Sequence, residues 1–291
     1  MSSPRGYWLV GGAAASWGLW PLVLREAARH GTVDASLWSA ALMAVMTVAT
    51  SVSLRGANLR AVPGRVYGAV VLLGLTDAAN AWFFFQAYRT TTVALAVSTH
   101  YVAPILVALF APLVNREEKH PRAIAAALLA FGGLLAILNP FAGHLDESAI
   151  VGSIYGLSSA FAYAGNVFLN RRIGEALTGA QVMVLHGVVA TPLLVALTPA
   201  HAWAETAPGV YGTLIVAGLT IGAASGIAFI RGLRLIPTPH SAVLTFLEPI
   251  VALALGVLVL GEALEARAIL GALTIVAAGI FVVAPPRRTL S

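Results

Sequence analysis

The chain contains no cysteine, which excludes a disulfide framework, a thiolate metal site and a redox pair. Charge is scarce as well. Asp, Glu, Lys and Arg make up 10% of the 291 residues, against an apolar share of 59% and a mean hydropathy of +0.87. A water-soluble chain of this length with so little charge would not stay dispersed. Nor is there a GxxxxGK[ST] sequence to cradle a nucleotide, an HExxH pair, or a convincing Ser/His/Asp grouping. ATP hydrolysis and hydrolytic chemistry within the membrane lose their usual carriers, so the chain is expected not to be an enzyme and to need no cofactor. Lipid is the solvent in which this sequence folds.

What is present is a series of long apolar runs. A helix needs about 20 apolar residues to cross the hydrocarbon core. Such runs predict spans near 7–24, 36–54, 67–88, 93–114 and 122–140, then 150–170, 180–198, 210–230, 240–260 and 268–285. The segment Met1–Gly6 lacks a convincing cleavage site, so Tyr7 onward reads as a retained first span. The expected fold is therefore all-α and integral to the membrane, with ten transmembrane helices and short connections.

The basic residues orient that bundle. Thirteen of them, Arg5, Arg55, Arg60, Arg65, Arg116, Lys119, Arg122, Arg171, Arg172, Arg231, Arg234, Arg287 and Arg288, fall on one side of the predicted spans. Four, Arg25, Arg29, Arg89 and Arg267, fall on the other. The richer side is expected to be cytoplasmic, with both termini inside the cytoplasmic (inner) membrane of a bacterium. The net charge of +5 is thus a topology signal. No contiguous basic face offers itself to nucleic acid.

The chain also repeats itself. At an offset of 145 residues, Pro104-Ile105 matches Pro249-Ile250, Leu113-Val114 matches Leu258-Val259, Glu117 matches Glu262, and Arg122-Ala123-Ile124 matches Arg267-Ala268-Ile269. One residue out of register, Tyr67-Gly68 matches Tyr211-Gly212 and Gly74-Leu75-Thr76 matches Gly218-Leu219-Thr220. The expected division is a first five-helix repeat over 1–140, a linker over 141–149, and a second repeat over 150–291. Five is odd, so the second repeat enters from the opposite side and the pair is inverted, the layout that alternating access exploits.

These residues resemble the EamA-type members of the drug/metabolite transporter superfamily over nearly the whole chain. The local carriers are Phe246-Leu247-Glu248-Pro249-Ile250, Leu260-Gly261-Glu262-Ala263-Leu264 and, in the first half, Tyr101-Val102-Ala103-Pro104-Ile105. The first half departs from the pattern, with Ala103 in place of the glutamate and Arg116-Glu117-Glu118 in place of Gly-Glu. The resemblance implies a 5+5 inverted repeat, a central cavity, and export of amino acids or related metabolites, aromatic ones in some relatives.

Polar residues at bilayer depth mark where such a cavity is expected, because a charge at a helix centre costs roughly 2.5–3.5 kcal/mol on insertion scales. Glu248 lies near mid-depth in the ninth span, where Pro249 removes a backbone hydrogen bond to Thr245, and it is a candidate proton- or amine-binding carboxylate. Asp77 and Asn80 share a face of the third span. His100 and Tyr101 sit in the fourth, where His100 corresponds to Thr245 and is suited to carry a proton. Tyr163, Asn166 and Asn170 form a polar stripe on the sixth span, and Tyr163 corresponds to Trp17 on the first. The pair Trp17 and Tyr163 is placed to hold an apolar or aromatic side chain. His186 is a weaker candidate, and its spacing matches no metal motif, so no zinc site is expected. Pro104 and Pro249 are expected kinks.

The expected cavity is therefore Trp17, Asp77, Asn80, His100, Tyr101, Tyr163, Asn166, Thr245 and Glu248, with Glu248, Asp77 and His100 as candidates for proton coupling. The expected activity is secondary export of a small metabolite, foremost an amino acid, by alternating access, with the bilayer and a proton as partners. An uncoupled channel or a translocator of lipid or hydrophobic compounds is the alternative. Composition and spacing leave the oligomeric state open.

Overall fold

A computed structural model describes residues 3–31, 34–142 and 146–284. Of the residues discussed above, His144 with its neighbours in the linker, and Arg287 and Arg288, lie outside the described residues. Among the described residues the secondary structure is entirely helical. Eight helical segments are long and apolar enough to cross a membrane: Ser36–Leu54, Gly64–Thr90, Val93–Val114, Pro121–Leu138, Gly179–Leu197, Pro208–Leu233, Thr238–Leu258 and Ala266–Val283.

The other two expected spans are also helical. The first is divided into α1 (Pro4–Trp17) and α2 (Trp20–Ala28). Pro21 causes the division, since it lacks an N–H and its ring opposes the carbonyl one turn earlier. Gly18 occupies the break, and a Cβ there would meet the Glu248 carbonyl at 2.6 Å. The sixth expected span belongs to α8 (Glu147–Ile173), a 27-residue helix whose apolar character is diluted by its serines, asparagines and tyrosines.

Between them run α3 (Ala35–Thr50), α4 (Gly64–Thr90), α5 (Val93–His100), α6 (Ala103–Val114) and α7 (Pro121–Leu138). After α8 come α9 (Gly179–Leu197), the short α10 (Ala200–Glu205), α11 (Pro208–Ala217), α12 (Ser225–Leu233), α13 (Thr238–Leu244), α14 (Leu247–Leu258) and α15 (Ala266–Val283). Two breaks fall just ahead of prolines. α5 passes to α6 at Tyr101-Val102, before Pro104, and α13 passes to α14 at Thr245-Phe246, before Pro249. The Thr245 carbonyl, which Pro249 cannot serve, accepts instead from the Glu248 N–H at 3.1 Å. A π-helical turn, Gly218–Ala224, joins α11 to α12.

Small residues set the packing. α7 buries Ala123, Ala126, Ala127 and Ala130 against α15, Tyr101 and Phe246. Where Gly133 faces Gly271, a Cβ on Gly133 would lie 2.6 Å from the Gly271 carbonyl. Helix association in lipid depends on such close backbone approach, since apolar burial alone offers no advantage over lipid tails. Trp38 is buried and meets Trp20 edge-on at 6.0 Å, because α2 folds over it. Trp8, by contrast, is exposed.

Several contacts occur twice, displaced by 144 or 145 residues. Tyr67 donates to the Leu59 carbonyl at 2.7 Å, and Tyr211 to the Trp203 carbonyl at 2.8 Å. Arg122 donates to the Phe281 carbonyl at the end of α15, and Arg267 to the Ala136 carbonyl near the end of α7. Gly74 abuts Val189, and Gly218 abuts Val45. Thr47 and Thr191, equivalent by the same offset, meet each other at 3.2 Å.

Candidate functional site

The polar side chains of the bundle interior converge from α4, α5, α8, α9 and α14. On α8, Ser159, Tyr163 and Asn166 lie at helical spacing along one face. Ser159 donates to Asn80 Oδ1 on α4 at 2.9 Å and stands 2.8 Å from His100 Nδ1 at the end of α5. One hydroxyl thus ties three helices. His100 is further enclosed by Phe84, with ring centroids 4.7 Å apart, and by the edge of Tyr163 at 5.5 Å.

One turn before Asn80, Asp77 forms a second cluster. Its Oδ1 accepts from Asn166 Nδ2 at 2.8 Å, and Asn166 Oδ1 accepts from Thr76 at 2.5 Å. Its Oδ2 faces His186 Nε2 of α9 at 3.2 Å, while His186 Nδ1 lies 2.7 Å from the Val182 carbonyl. Asn170, lower on the same stripe, donates to the Asn166 carbonyl at 2.9 Å.

Glu248 enters from the first turn of α14. Its carboxylate is within electrostatic reach of the phenols of Tyr88, Tyr101 and Tyr163. The Tyr101 hydroxyl is buried and lacks a hydrogen bond of normal geometry, so it is free to turn toward that carboxylate. The Tyr101 ring itself packs on Phe246, its equivalent at the 145 offset, with centroids 5.4 Å apart.

Most of the expected cavity residues are therefore brought together: Asp77, Asn80, His100, Tyr101, Tyr163, Asn166 and Glu248. Thr245 is buried with its hydroxyl bonded to the Ala242 carbonyl at 2.7 Å, so it presents no free donor. Trp17 packs on Phe229 at 5.2 Å, and both Trp17 and Tyr163 border one apolar cluster with Leu247. Sequence reasoning passed over Ser159, Thr76 and Tyr88, and it underweighted His186. Ser159 lies one turn before Tyr163, so extending the polar stripe of α8 by one turn would have found it.

One end of the bundle, near the start of α1 and α13, is tied by charge. Glu117 pairs with Arg171 at 3.1 Å and accepts from the Thr238 N–H at 2.9 Å and from the Thr238 hydroxyl. Arg171 also donates to the Leu233 carbonyl at 2.6 Å, and Arg172 to the Val114 carbonyl at 2.9 Å. Tyr7 of α1 meets His240 Nδ1 of α13 at 2.7 Å. At the opposite end Glu262 is exposed and lies over Gly256, and no hydrogen bond or ion pair of its carboxylate is found among the described residues. Arg25, equivalent to Arg171 at an offset of 146, is likewise exposed there.

Comparison with known proteins gives a consistent picture. The family model described as "EamA-like transporter family" matches twice, over residues 4–139 and 150–284. Among curated proteins, the chain is 24% identical over 175 residues to a Bacillus subtilis (strain 168) protein named "Uncharacterized transporter YxxF". That alignment takes in 60% of this chain and 56% of the relative, so the chain spans little more than half of that protein's length. It is 26% identical over 210 residues to "Uncharacterized transporter YwfM" of the same organism, covering 70% of this chain and 69% of the relative. One solved crystal structure shares the fold, with a TM-score of 0.80 at 17% identity over 95% of this chain and 97% of the other.

Proposed function

Since the chain belongs to the EamA-like transporter family, we propose that it is a secondary transporter that exports small metabolites of the amino-acid class by alternating access. Ten spans form two inverted five-helix repeats, 1–140 and 150–291, joined by the 141–149 segment. The twofold family match and the contacts made twice at the 144–145 offset support this division. So do the two remaining helical stretches, α1–α2 and α8, which complete the count. The thirteen-to-four division of basic residues supports a topology with both termini in the cytoplasm, and the membrane in this reading is the inner membrane of a bacterium.

A single observation carries the mechanism. Equivalent residues of the two repeats are in opposite states: Glu117 is engaged with Arg171 and Thr238 on the cytoplasmic side, while Glu262 is disengaged from Arg25 on the outer side. Two copies of one element in two conformations are what an inverted pair needs, because exchanging those conformations exchanges the open side. The arrangement corresponds to a carrier held closed toward the cytoplasm.

The interior supports that substrate class. The Glu248 carboxylate among three phenols suits an ammonium group, whose charge both the acid and the aromatic faces attract. Asn80, Ser159 and His100 offer directional hydrogen bonds, and Trp17 and Tyr163 border an apolar wall for a side chain. The test is counterflow in proteoliposomes with a panel of labelled amino acids. Saturable exchange of one class supports the carrier, with apolar and aromatic members favoured. Movement of lipid in place of every panel member contradicts it.

A further inference from the structure

We infer that Asp77 and His186 together form the proton-binding site that couples this transporter to a pH gradient. The inference rests on the transporter reading above but uses a pair that substrate recognition leaves aside. Its basis is the count of hydrogen-bond donors. His186 Nδ1 lies 2.7 Å from the Val182 carbonyl, an acceptor only, so Nδ1 must carry a hydrogen. Its other nitrogen, Nε2, lies 3.2 Å from Asp77 Oδ2. A neutral imidazole has no second hydrogen to place there, and its lone pair would face the carboxylate. The contact therefore requires one proton more than a carboxylate and a neutral ring possess. That proton sits either on Nε2, giving an imidazolium, or on Oδ2, giving a carboxylic acid that donates to the ring. In either form the pair holds one releasable proton.

Packing does not demand this pair. At the 144 offset Leu42 of the first half is the equivalent of His186 of the second, and Ile221 of the second is the equivalent of Asp77 of the first; both are buried, at 8% and 6% exposure. The fold thus accommodates two aliphatic side chains at the equivalent junction. Ionisable groups in the hydrocarbon region are costly. One of the two equivalent junctions between the halves carries that cost where the other avoids it, which points to a use for the proton.

The surroundings leave the pair electrostatically isolated. From α8, Tyr163 is the titratable group within reach of Asp77, and Asn166 is its neutral partner. The segments of α3 and of the π-helical turn carry no titratable residue, and α9 carries none besides His186. The nearest charge on α12 is Arg231, beside Gly179, seven residues or about 10 Å before His186 along the helix. On α4, Arg65 and Arg89 are about 18 Å distant by helical rise. From α5, His100 is bonded to Ser159 and reaches α4 at Asn80 rather than at Asp77.

Release of the proton has a direct mechanical consequence. The carboxylate then faces an imidazole lone pair, the α4–α9 contact at His186 is lost, and Asp77 is held by Asn166 of α8 alone. That helix also carries Tyr163 beside the substrate space and Arg171 in the closed ion pair, so one proton biases the element that both ends use.

The test replaces the pair by the residues of the equivalent junction, Asp77→Ile with His186→Leu, in the full chain. A second variant, Asp77→Asn with His186→Gln, keeps neutral hydrogen-bonding partners in case the aliphatic pair does not fold, and thermal unfolding checks both. Potentiometric titration of the detergent-solubilised proteins, over the range in which each stays folded, should show wild type releasing at least one more proton per chain than either variant. In proteoliposomes, a one-unit pH gradient should drive up to about tenfold accumulation of the exchanged amino acid by wild type, for one proton per cycle. That gradient-driven accumulation should be absent in the variants. Superimposable titrations, or undiminished gradient-driven accumulation, overturn the assignment. If no amino acid exchanges in wild type, the substrate reading fails, and the titration alone decides the proton site.

Discussion

Glu117 holds Arg171 at 3.1 Å and reaches the first N–H of α13, whereas Glu262, its equivalent 145 residues on, lies exposed over Gly256. The Glu117 side chain is only 12% exposed. Its carboxylate accepts from the opening turn of a helix, where the backbone dipole favours negative charge. An ion pair in that position, unlike one on an open surface, contributes to which state the bundle occupies.

Glu117→Ala should therefore loosen the end of the bundle at which Glu117 meets α13. Loss of charge-assisted hydrogen bonds there costs about 1–3 kcal/mol, a shift of roughly 5–150-fold between two states. The chain has no cysteine of its own, so a single Ser241→Cys probe, at a position fully buried beside Thr238, reports on the change. Thiol labelling by an aqueous reagent should accelerate in the Glu117→Ala background. An unchanged rate would show that the pair does not hold this end.

The opposite end, at Glu262, should respond in the opposite sense. With Arg25→Cys and Glu262→Cys in place, oxidative cross-linking is expected to be poor in the otherwise native chain and to rise when Glu117→Ala is added. Cross-linking indifferent to Glu117 would contradict exchange between the two repeats.

Neighbouring glycines on α7 should differ sharply. A Cβ on Gly133 would press on the Gly271 backbone, but one on Gly132 meets nothing within 4 Å. Gly133→Ala is expected to destabilise by about 1–3 kcal/mol, in the range of overpacked sites. Gly132→Ala should be neutral or slightly stabilising through helix propensity. Thermal unfolding in detergent compares the two, and equal melting temperatures would argue against close packing of α7 on α15.

The start of α8 should be sensitive to acid. The hydroxyl of Ser148 at 2.7 Å and then the N–H of Ala149 at 2.9 Å donate to Asp146, holding its carboxyl below the ordinary value of 3.8. A depressed value in the folded chain means that this cap contributes at neutral pH and is lost as the pH falls through that lowered value. Protection of the amides at 147–150, measured against the intrinsic exchange rate at each pH, should be high near neutrality and fall in strong acid, and Asp146→Ala should give the low protection at all pH values.

Much of the fold was legible in the chain itself because lipid imposes simple rules. Apolar runs of sufficient length had to become helices, since in lipid every backbone polar group must be satisfied within the protein, and the breaks expected at Pro104 and Pro249 fall just ahead of those residues. Seven of the nine expected cavity residues converge for the same reason: polar groups at depth seek one another. What could not be foreseen was pairing between distant helices. His186 looked isolated because its partner Asp77 is 109 residues away, and Thr245 looked available because its bond to Ala242 depends on a rotamer.

Sequence alone determined the solvent, the helices, the duplication and the difference between its copies, because composition and offset are properties of the chain. Tertiary structure decided which acid is engaged and which is free. It also decided that Asp77 meets a histidine whose second nitrogen is already committed. Those are facts of distance and direction between groups on separate helices, where a displacement of a few ångströms determines whether a charge is paired, and no one-dimensional pattern specifies them.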